Sequence, residues 1–374
     1  MKDINKTYLW FGLAMLLLQL AGYNVATLGL LGLCSLPLIS ANTLIKNIRA
    51  IPIFFIFITF SIIVGLYFAL CDGLESWKLM YWGQFYFFIF LLMAVKDKVQ
   101  MFTVLRYCTY IIFFADFFTN LLLLAGFNVP WSSLPDVRPG EKMARFTGIK
   151  GNTLYSGSIS FIALCFLFHE DMKSKLKKYS FIFAAVLNIA LSGSFRYYII
   201  TAVVFSIYYL HLYKHRTILI AEYIGSIIVV FLATRLTMLV NGSNFFRFNI
   251  WSYYFNQIEK SPIIGHGWFN MHLTDLDSFS WTHLAANGVT ESCILLLAYC
   301  FGIPLLIFYL ASIAKTLLAY KTYTNYLSEL GLFAGLSLDL FWGGSFDNSL
   351  SLSILTLSWY LINLHSLECE RNNC

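Results

Sequence analysis

Three arginines stand in short polar stretches of an otherwise apolar sequence. Arg145 lies in ARFTGIKGNT, Arg196 lies in LSGSFRYY, and Arg247 opens the aromatic stretch RFNIWSYYFNQIEK. A guanidinium group is planar and can donate two parallel hydrogen bonds to phosphate oxygens. Taken singly, each arginine has an ordinary explanation as a structural or interfacial residue. Taken as a set, they have the chemistry to bind a diphosphate.

The surroundings of two of these arginines carry further expectations. Gly148 and Gly151 follow Arg145, and glycines in a turn allow backbone amides to approach an anion. Arg196 follows a small-residue break between two apolar runs. An unpaired arginine inside hydrocarbon costs at least about 3 kcal/mol, so we expect a partner for it. The candidates are a lipid headgroup and Asp347.

Three residues near the start of the tenth apolar run are candidates for acid or base chemistry. His283 lies in SFSWTHLAANGVTES, and an imidazole with a pKa of about 6.5 can act as a general base toward a hydroxyl. A solvated loop histidine is the plain alternative. Asp277 and Glu291 are near it in sequence and could orient or replace it. Glu291 falls at the start of an apolar run, where a carboxylate is costly unless it has a role.

Other polar residues have weaker patterns. His266 and His272, with Asp275 or Asp277, match no familiar zinc spacing, so we predict no metal and no cofactor. Asp116 and Arg106 fall in one apolar run, where they would either pair with each other or mark a transport path. Further along, the stretch WGGSFDNS contains Asp347 and Asn348, which form either a turn or part of a cavity lining.

The composition places these residues in a membrane protein. The chain is 59% hydrophobic and 12% charged, with a mean hydropathy of +0.71, whereas a soluble domain carries about 25% charged residues. Apolar runs near the roughly 20 residues that cross a bilayer recur from end to end. We predict an all-α, polytopic integral membrane protein with a single transmembrane domain, 1–374, of about twelve helices. The predicted spans are 8–22, 25–40, 51–70, 80–95, 102–127, 154–169, 179–193, 197–213, 218–240, 287–311, 328–342 and 349–366.

Basic residues predict the orientation of these spans. Fifteen of the 25 lysines and arginines fall in segments on the side of the N-terminus, which the positive-inside rule makes cytoplasmic. The formal charge of +6 is therefore explained by topology, and no nucleic-acid partner is expected. Two longer segments, about 128–153 and 241–286, then face outward, and they hold Arg145, Arg247 and His283.

The larger outer segment has its own pattern. Phe248, Trp251, Phe255 and Ile258 recur at helical spacing, which predicts an amphipathic helix against the membrane surface. Pro262 should end this helix. The following sequence GHG, residues 265–267, predicts a tight bend around His266.

Three blocks resemble the O-antigen polymerase and ligase superfamily, the Wzy and WaaL type of membrane glycan transferases. They are RFTGIKGNTLYSGSISFIALCFL, LNIALSGSFRYYIITAVV and RFNIWSYYFNQIEKSPIIGHGWFN, and the similarity covers about 145–302. The positions that match the family pattern are Arg145, Gly148 and Asn152 in the first block, Ser192, Gly193, Ser194 and Arg196 in the second, and Arg247, Trp251, Pro262, Gly265 and Gly267 in the third. The second block departs from the pattern by the inserted aromatic Phe195.

The resemblance implies metal-independent, inverting glycosyl transfer on the periplasmic face of a bacterial inner membrane. The donor would be an oligosaccharide on undecaprenyl diphosphate, with Arg145, Arg196 and Arg247 binding the leaving group and a base near the acceptor hydroxyl. Ligases of this family carry a polar residue after the loop histidine, whereas Leu284 follows His283 here. The sequence therefore favours an O-antigen polymerase over a ligase that transfers glycan to lipid A core.

The resemblance also implies two partners besides the donor: the lipid bilayer and, as a candidate, a membrane protein that regulates chain length. A flippase or transporter for lipid-linked oligosaccharide is the alternative from a different class, and a membrane scaffold is the third. Transporters commonly show two related halves, and the halves of this sequence do not resemble each other.

Overall fold

A computed structural model describes most of the chain as α-helices. The described residues are 5–21, 25–73, 76–132, 144–237, 242–268, 292–319, 327–341 and 348–371. One cluster of buried hydrophobic residues extends from Tyr8 to Ile362. Within these ranges there are fourteen α-helices: α1 Lys6–Ala21, α2 Val25–Ser35, α3 Ala41–Ala50, α4 Pro52–Asp72, α5 Ser76–Ala94, α6 Lys98–Leu124, α7 Thr153–His169, α8 Lys175–Ser192, α9 Phe195–Tyr209, α10 Arg216–Thr237, α11 Gly242–Lys260, α12 Cys293–Ala319, α13 Leu327–Phe341 and α14 Ser349–Arg371.

Apolar composition distinguishes several of these helices. Three stretches, Pro52–Cys71, Lys98–Leu124 and Cys293–Leu318, are long and apolar enough to cross a membrane by length and composition. Further apolar helices in α1, α2, α5, α7, α9 and α14 are shorter. Each predicted span overlaps one helix, and the all-helical expectation is confirmed for the described residues. The count of twelve crossings stays a prediction.

Helix α3 was not expected from hydropathy. It is a ten-residue helix between α2 and α4 that packs against α5. The buried Asn47 side-chain amide donates to the carbonyl of Met93, and the Ser40 amide donates to the carbonyl of Ala94 at 2.8 Å. Because α3 contains many polar residues, a hydropathy scan does not detect it. Contacts with the neighbouring helix α5 stabilise it instead.

Helix α11 is present and ends at Lys260, before Pro262, as expected, but its buried face differs from the predicted one. Trp251, Tyr254 and Ile258 are buried, while Phe255 is 47% exposed. Trp251 stacks on Phe231 of α10, and the Tyr254 ring meets Tyr299 of α12 edge-on. Contacts with these two helices rotate the buried stripe toward Tyr254. The side chain of Phe248 lies outside the described part.

Helix α12 contains a break at Gly302, and the segment after α11 fills it. Pro304 has no amide hydrogen, so the carbonyl of Cys300 lacks its usual helical partner and accepts from the amide of Gly267 at 2.9 Å. The carbonyl of Tyr299 accepts from the amide of His266 at 2.8 Å. The amide of residue 303 donates in return to the carbonyl of residue 262 at 2.8 Å. The bend predicted around His266 is confirmed, and its backbone completes the broken helix.

Close backbone contact explains the glycines of this junction. Gly265 has a φ of 70°, and a Cβ there would lie 2.6 Å from the carbonyl oxygen of Cys300. Gly302 has a φ of 80°, and a Cβ there would overlap the carbonyl oxygen of Ile263. Both positions combine a left-handed conformation with a backbone neighbour that cannot move aside independently.

The junction predicts a large effect for Gly302→Ala. The substitution forces an alanine into positive φ and against a backbone carbonyl, so the free energy of unfolding should fall by more than about 2 kcal/mol. Gly225→Ala in α10 is the matched control, since a Cβ at that position would have no neighbouring atom within 4 Å among the described residues. Thermal unfolding of the purified protein in detergent would measure both. Equal melting temperatures for the two variants would contradict the role given to this junction.

Candidate active site

Arg145 lies across the break between α8 and α9. The amide of the next residue, Phe146, donates to the carbonyl of Leu191 at 2.9 Å, which joins this segment to the last turn of α8. Gly193, with a φ of 59°, ends α8. A Cβ on Gly193 would lie 2.8 Å from Cγ of Arg145. The glycine therefore provides the space through which the arginine side chain passes.

Arg196 lies in the first turn of α9 and is almost completely buried, with 8% of its surface exposed. Its Nη1 is 3.3 Å from Oδ1 of Asp339 in α13. The hydroxyl of Tyr197 donates to the other carboxylate oxygen, Oδ2, at 3.0 Å. The expectation that Arg196 has a partner is confirmed. That partner is Asp339, whereas the candidate Asp347 lies outside the described residues.

The turn after Arg145 binds a carboxylate of the protein itself. Gly148–Lys150 forms a short 3-10 helix. The amide of Ile149 donates to Oδ1 of Asp116 at 2.9 Å, and the amide of Gly148 donates to Oδ1 of Asn120 at 2.9 Å. The amides of residues 151 and 152 donate to backbone carbonyls of the same turn. The expected approach of these amides is therefore made to side chains of the protein itself, and these four amides already have partners.

Gly148 is required at this turn for a steric reason. A Cβ there would overlap Oδ1 of Asp116. Its φ of 64° adds a conformational reason for glycine. The close approach of backbone to an anion that the sequence predicted does occur, and the anion is the side chain of Asp116.

A buried polar network holds Asp116 in this position. Its Oδ2 accepts from the Ser156 hydroxyl at 2.5 Å and from Nδ2 of Asn188 at 2.9 Å. Nδ2 of Asn120 donates to Ser156 at 3.0 Å and to Oδ1 of Asn188 at 2.8 Å. The network joins α6, α7 and α8 and anchors the turn that follows Arg145. Buried groups with this many partners are expected to hold one geometry.

Lys150 ends the same turn. Its Nζ lies 5.9 Å from the ring centroid of Tyr155 in α7. Partial burial lowers the pKa of the Lys150 ammonium below its ordinary value. Within the described part of the chain, no carboxylate forms an ion pair with Lys150.

The remaining predicted site residues are placed only in part. Arg247 lies in the first half of α11, and its side chain is outside the described part of the structure. The predicted catalytic residues His283, Asp277 and Glu291 also lie outside it. Of the predicted set, the structure thus brings Arg145 and Arg196 to one place, the break between α8 and α9.

Two other sequence candidates have structural surroundings. The Nε2 atom of His266 is 2.8 Å from the carbonyl oxygen of Gln257, and its ring stacks on Tyr299 with centroids 4.7 Å apart. These contacts fix the bend before α12. The pairing of Asp116 with Arg106 is wrong, because the described partners of the Asp116 carboxylate are Ile149, Ser156 and Asn188.

Sequence reasoning missed several residues that shape this region. Asp339, Asn120 and Asn188 all lie within predicted spans, yet none was chosen as a candidate. A usable signal was present, since an ionisable or amide side chain inside an apolar run implies a partner or a function. The choice of partner needed the fold, because Asp339 is 143 positions from Arg196 along the chain.

Comparisons with known proteins add no family. The chain matches no known family model, and no curated protein matches it. The resemblance to glycan transferases consequently rests on the three sequence blocks alone.

The polar network predicts that Asp116→Asn loosens the turn. One carboxylate oxygen becomes an NH2 group that faces existing donors, so at least one hydrogen bond is lost, at a cost of about 1 to 3 kcal/mol. Amide hydrogen exchange in residues 145–152 should accelerate by about tenfold or more. Thr109→Val is the control, because its buried hydroxyl in α6 bonds to the carbonyl of Leu105 in the same helix. Unchanged protection in Asp116→Asn would sink this assignment.

The ion pair predicts non-additive costs at α9 and α13. Arg196→Met leaves the Asp339 carboxylate buried without its cation, which should lower the free energy of unfolding by about 3 kcal/mol. Asp339→Asn keeps an acceptor for Tyr197, and in the double variant no charge remains at either position. The double variant should therefore be more stable than Arg196→Met alone, as measured by unfolding in detergent. Additive costs would mean that the two side chains act independently.

Proposed function

We propose that the chain is a membrane glycosyltransferase, an O-antigen polymerase that joins repeat units linked to undecaprenyl diphosphate. The observation that carries the proposal is that Arg145 and Arg196 both lie at the break between α8 and α9, with the Arg145 segment anchored by Asp116. A guanidinium group held at such a break suits a diphosphate leaving group, because its planar fork can donate two parallel hydrogen bonds to phosphate oxygens. The three sequence blocks that resemble glycan transferases supply the reaction class.

The proposed function requires that the α8–α9 break face the compartment that contains the lipid-linked donor. About twelve spans cross the bacterial inner membrane, and the α8–α9 break and the segments 128–153 and 241–286 face the periplasm. Apolar helices and the distribution of basic residues support this orientation. A lipid-linked donor presents its diphosphate at the membrane surface, which is where a helix break between two spans would lie.

In the proposed reaction, an acceptor hydroxyl of one repeat unit attacks the anomeric carbon of the donor glycan. The bond between that carbon and the diphosphate oxygen breaks, and its electron pair leaves with undecaprenyl diphosphate. The hydroxyl proton passes to a base, for which His283, Asp277 and Glu291 are the candidates. Arginines that bind the departing oxygens stabilise the charge that develops on them, so no metal ion is required.

The two described arginines have different proposed roles. Arg145 is the proposed diphosphate ligand, together with Arg247 on α11. The buried pair of Arg196 with Asp339 supports a positioning role for Arg196, since that pair fixes the start of α9 against α13. A mostly neutralised guanidinium group still offers hydrogen-bond donors to a second anion, because it carries five N–H groups.

The test is elongation by purified protein supplied with lipid-linked repeat units, without nucleotide and with EDTA. The wild-type chain should produce a ladder of glycan lengths. Arg145→Ala and Arg247→Ala should each reduce elongation by roughly a hundredfold, the usual effect of losing one group that stabilises developing negative charge. Arg216→Ala is the control, since Arg216 is an exposed arginine at the start of α10.

Two outcomes would contradict this proposal. Unpolymerised repeat units from the wild-type protein would remove the polymerase proposal and leave a ligase or a transporter as the alternatives. Wild-type ladders from both arginine variants would remove the diphosphate-binding proposal. In cells, loss of the gene should leave lipopolysaccharide capped with single repeat units, whereas bare core would identify a ligase.

A further inference from the structure

The sequence suggested that backbone amides near Arg145 bind an anion, whereas the structure gives these amides other partners. The amides of Gly148 and Ile149 point to Asn120 and Asp116, so they are not donors for a ligand. Arg196 contacts Asp339, which offsets much of its charge. Side chains on the anchored segment are therefore better candidates for a diphosphate ligand here than the turn amides.

Lys150 is the second cation of that segment, and the described contact of its side chain is with an aromatic ring. Its ammonium lies over the ring of Tyr155, whose hydroxyl donates to Oε1 of Gln19 at 3.0 Å. The side-chain amide of Gln19 donates in turn to the hydroxyl of Ser349. Tyr155, beneath the Lys150 ammonium, is thus hydrogen-bonded to α1 and, through Gln19, linked to α14.

A half-buried ammonium without an ion-pair partner among the described residues is an incomplete electrostatic arrangement. Desolvation disfavours the charged form, and the weak attraction of an aromatic ring offsets only part of that cost. A bound anion would offset the remaining cost. Lysine suits such a site as a compact charge that can follow the non-bridging oxygens of a phosphate.

We propose that Lys150 is a further cationic ligand of the diphosphate, carried with Arg145 on the segment that Asp116 anchors. This inference rests on the proposed function for the identity of the reaction, and it adds a binding residue for the leaving group. The ligand class is a diphosphate ester at the membrane surface. Phospholipid headgroups and free phosphate share part of its chemistry, so the test separates these sources.

The experiment measures binding of inorganic pyrophosphate to the purified full chain in detergent by titration calorimetry. Lys150→Met keeps an unbranched apolar chain over Tyr155 and removes the charge, so the dissociation constant should rise about tenfold or more. Lys150→Arg restores a cation and should stay within about threefold of wild type. Lys177→Met, at an exposed lysine of α8, is the matched control and should bind like wild type.

Parallel titrations with inorganic phosphate, undecaprenyl diphosphate in micelles and phosphatidylglycerol in nanodiscs identify the ligand. Dependence on Lys150 should be strongest for the two diphosphates. Equal dependence for phosphatidylglycerol would assign the residue to a lipid headgroup and overturn the proposal. Equal losses in Lys150→Met and Lys177→Met would also overturn it, because general charge would then explain the binding.

The outcomes distinguish this inference from the function beneath it. A wild-type glycan ladder with pyrophosphate binding unaffected by Lys150→Met would remove Lys150 and leave the polymerase proposal intact. Pyrophosphate binding that depends on Lys150, without any glycan ladder, would support the role of Lys150 and remove the polymerase proposal. If Lys150→Met lowers the melting temperature, the Lys150→Arg variant decides the matter, since loss of binding there would contradict a role for the charge.

Discussion

The carboxylate of Asp116 accepts hydrogen bonds from a backbone turn and from two neighbouring helices, and the placement of Arg145 depends on that contact. In a soluble protein, water could satisfy the amides of a glycine turn. Here Gly148 is buried, and a buried backbone group without a partner is costly, so the turn needs a partner from within the protein. Asp116 supplies it, and the arginine that precedes the turn is thereby tied to α6, α7 and α8.

The same constraint explains the junction at Gly302. A proline in α12 removes one helical donor and a glycine breaks the chain direction, which leaves carbonyls without partners. The bend around His266 donates its amides to them, so two irregular segments satisfy each other. Because this bend directly follows α11, the position of the helix that carries Arg247 is coupled to the break in α12. In both the turn after Arg145 and the break in α12, groups of the protein therefore satisfy the backbone hydrogen bonds described here.

Hydropathy, helical spacing and turn chemistry predicted the described helices other than α3, and also the bend, but they did not identify which residues contact each other. The requirement that Arg196 have a partner follows from one residue in an apolar run, but the choice of Asp339 depends on how α9 packs against α13. The amides after Arg145 were expected to face a ligand, because a sequence does not reveal a carboxylate that occupies the same place from another helix. On α11, the buried stripe includes Tyr254 rather than Phe255, since two neighbouring helices decide which side is covered.

These contacts separate two kinds of cation at one end of the bundle. Arg196 is buried and has a carboxylate within ion-pair distance, so its charge contributes first to the packing of α9 against α13. Lys150 is half-buried over the ring of Tyr155. A carboxylate at Asp116 lies beneath the turn, yet its oxygens are filled by amide and hydroxyl donors rather than by a cation. The carboxyl group of Asp116 thus holds the backbone of the turn. An external anion would then be bound by side chains that extend from the turn.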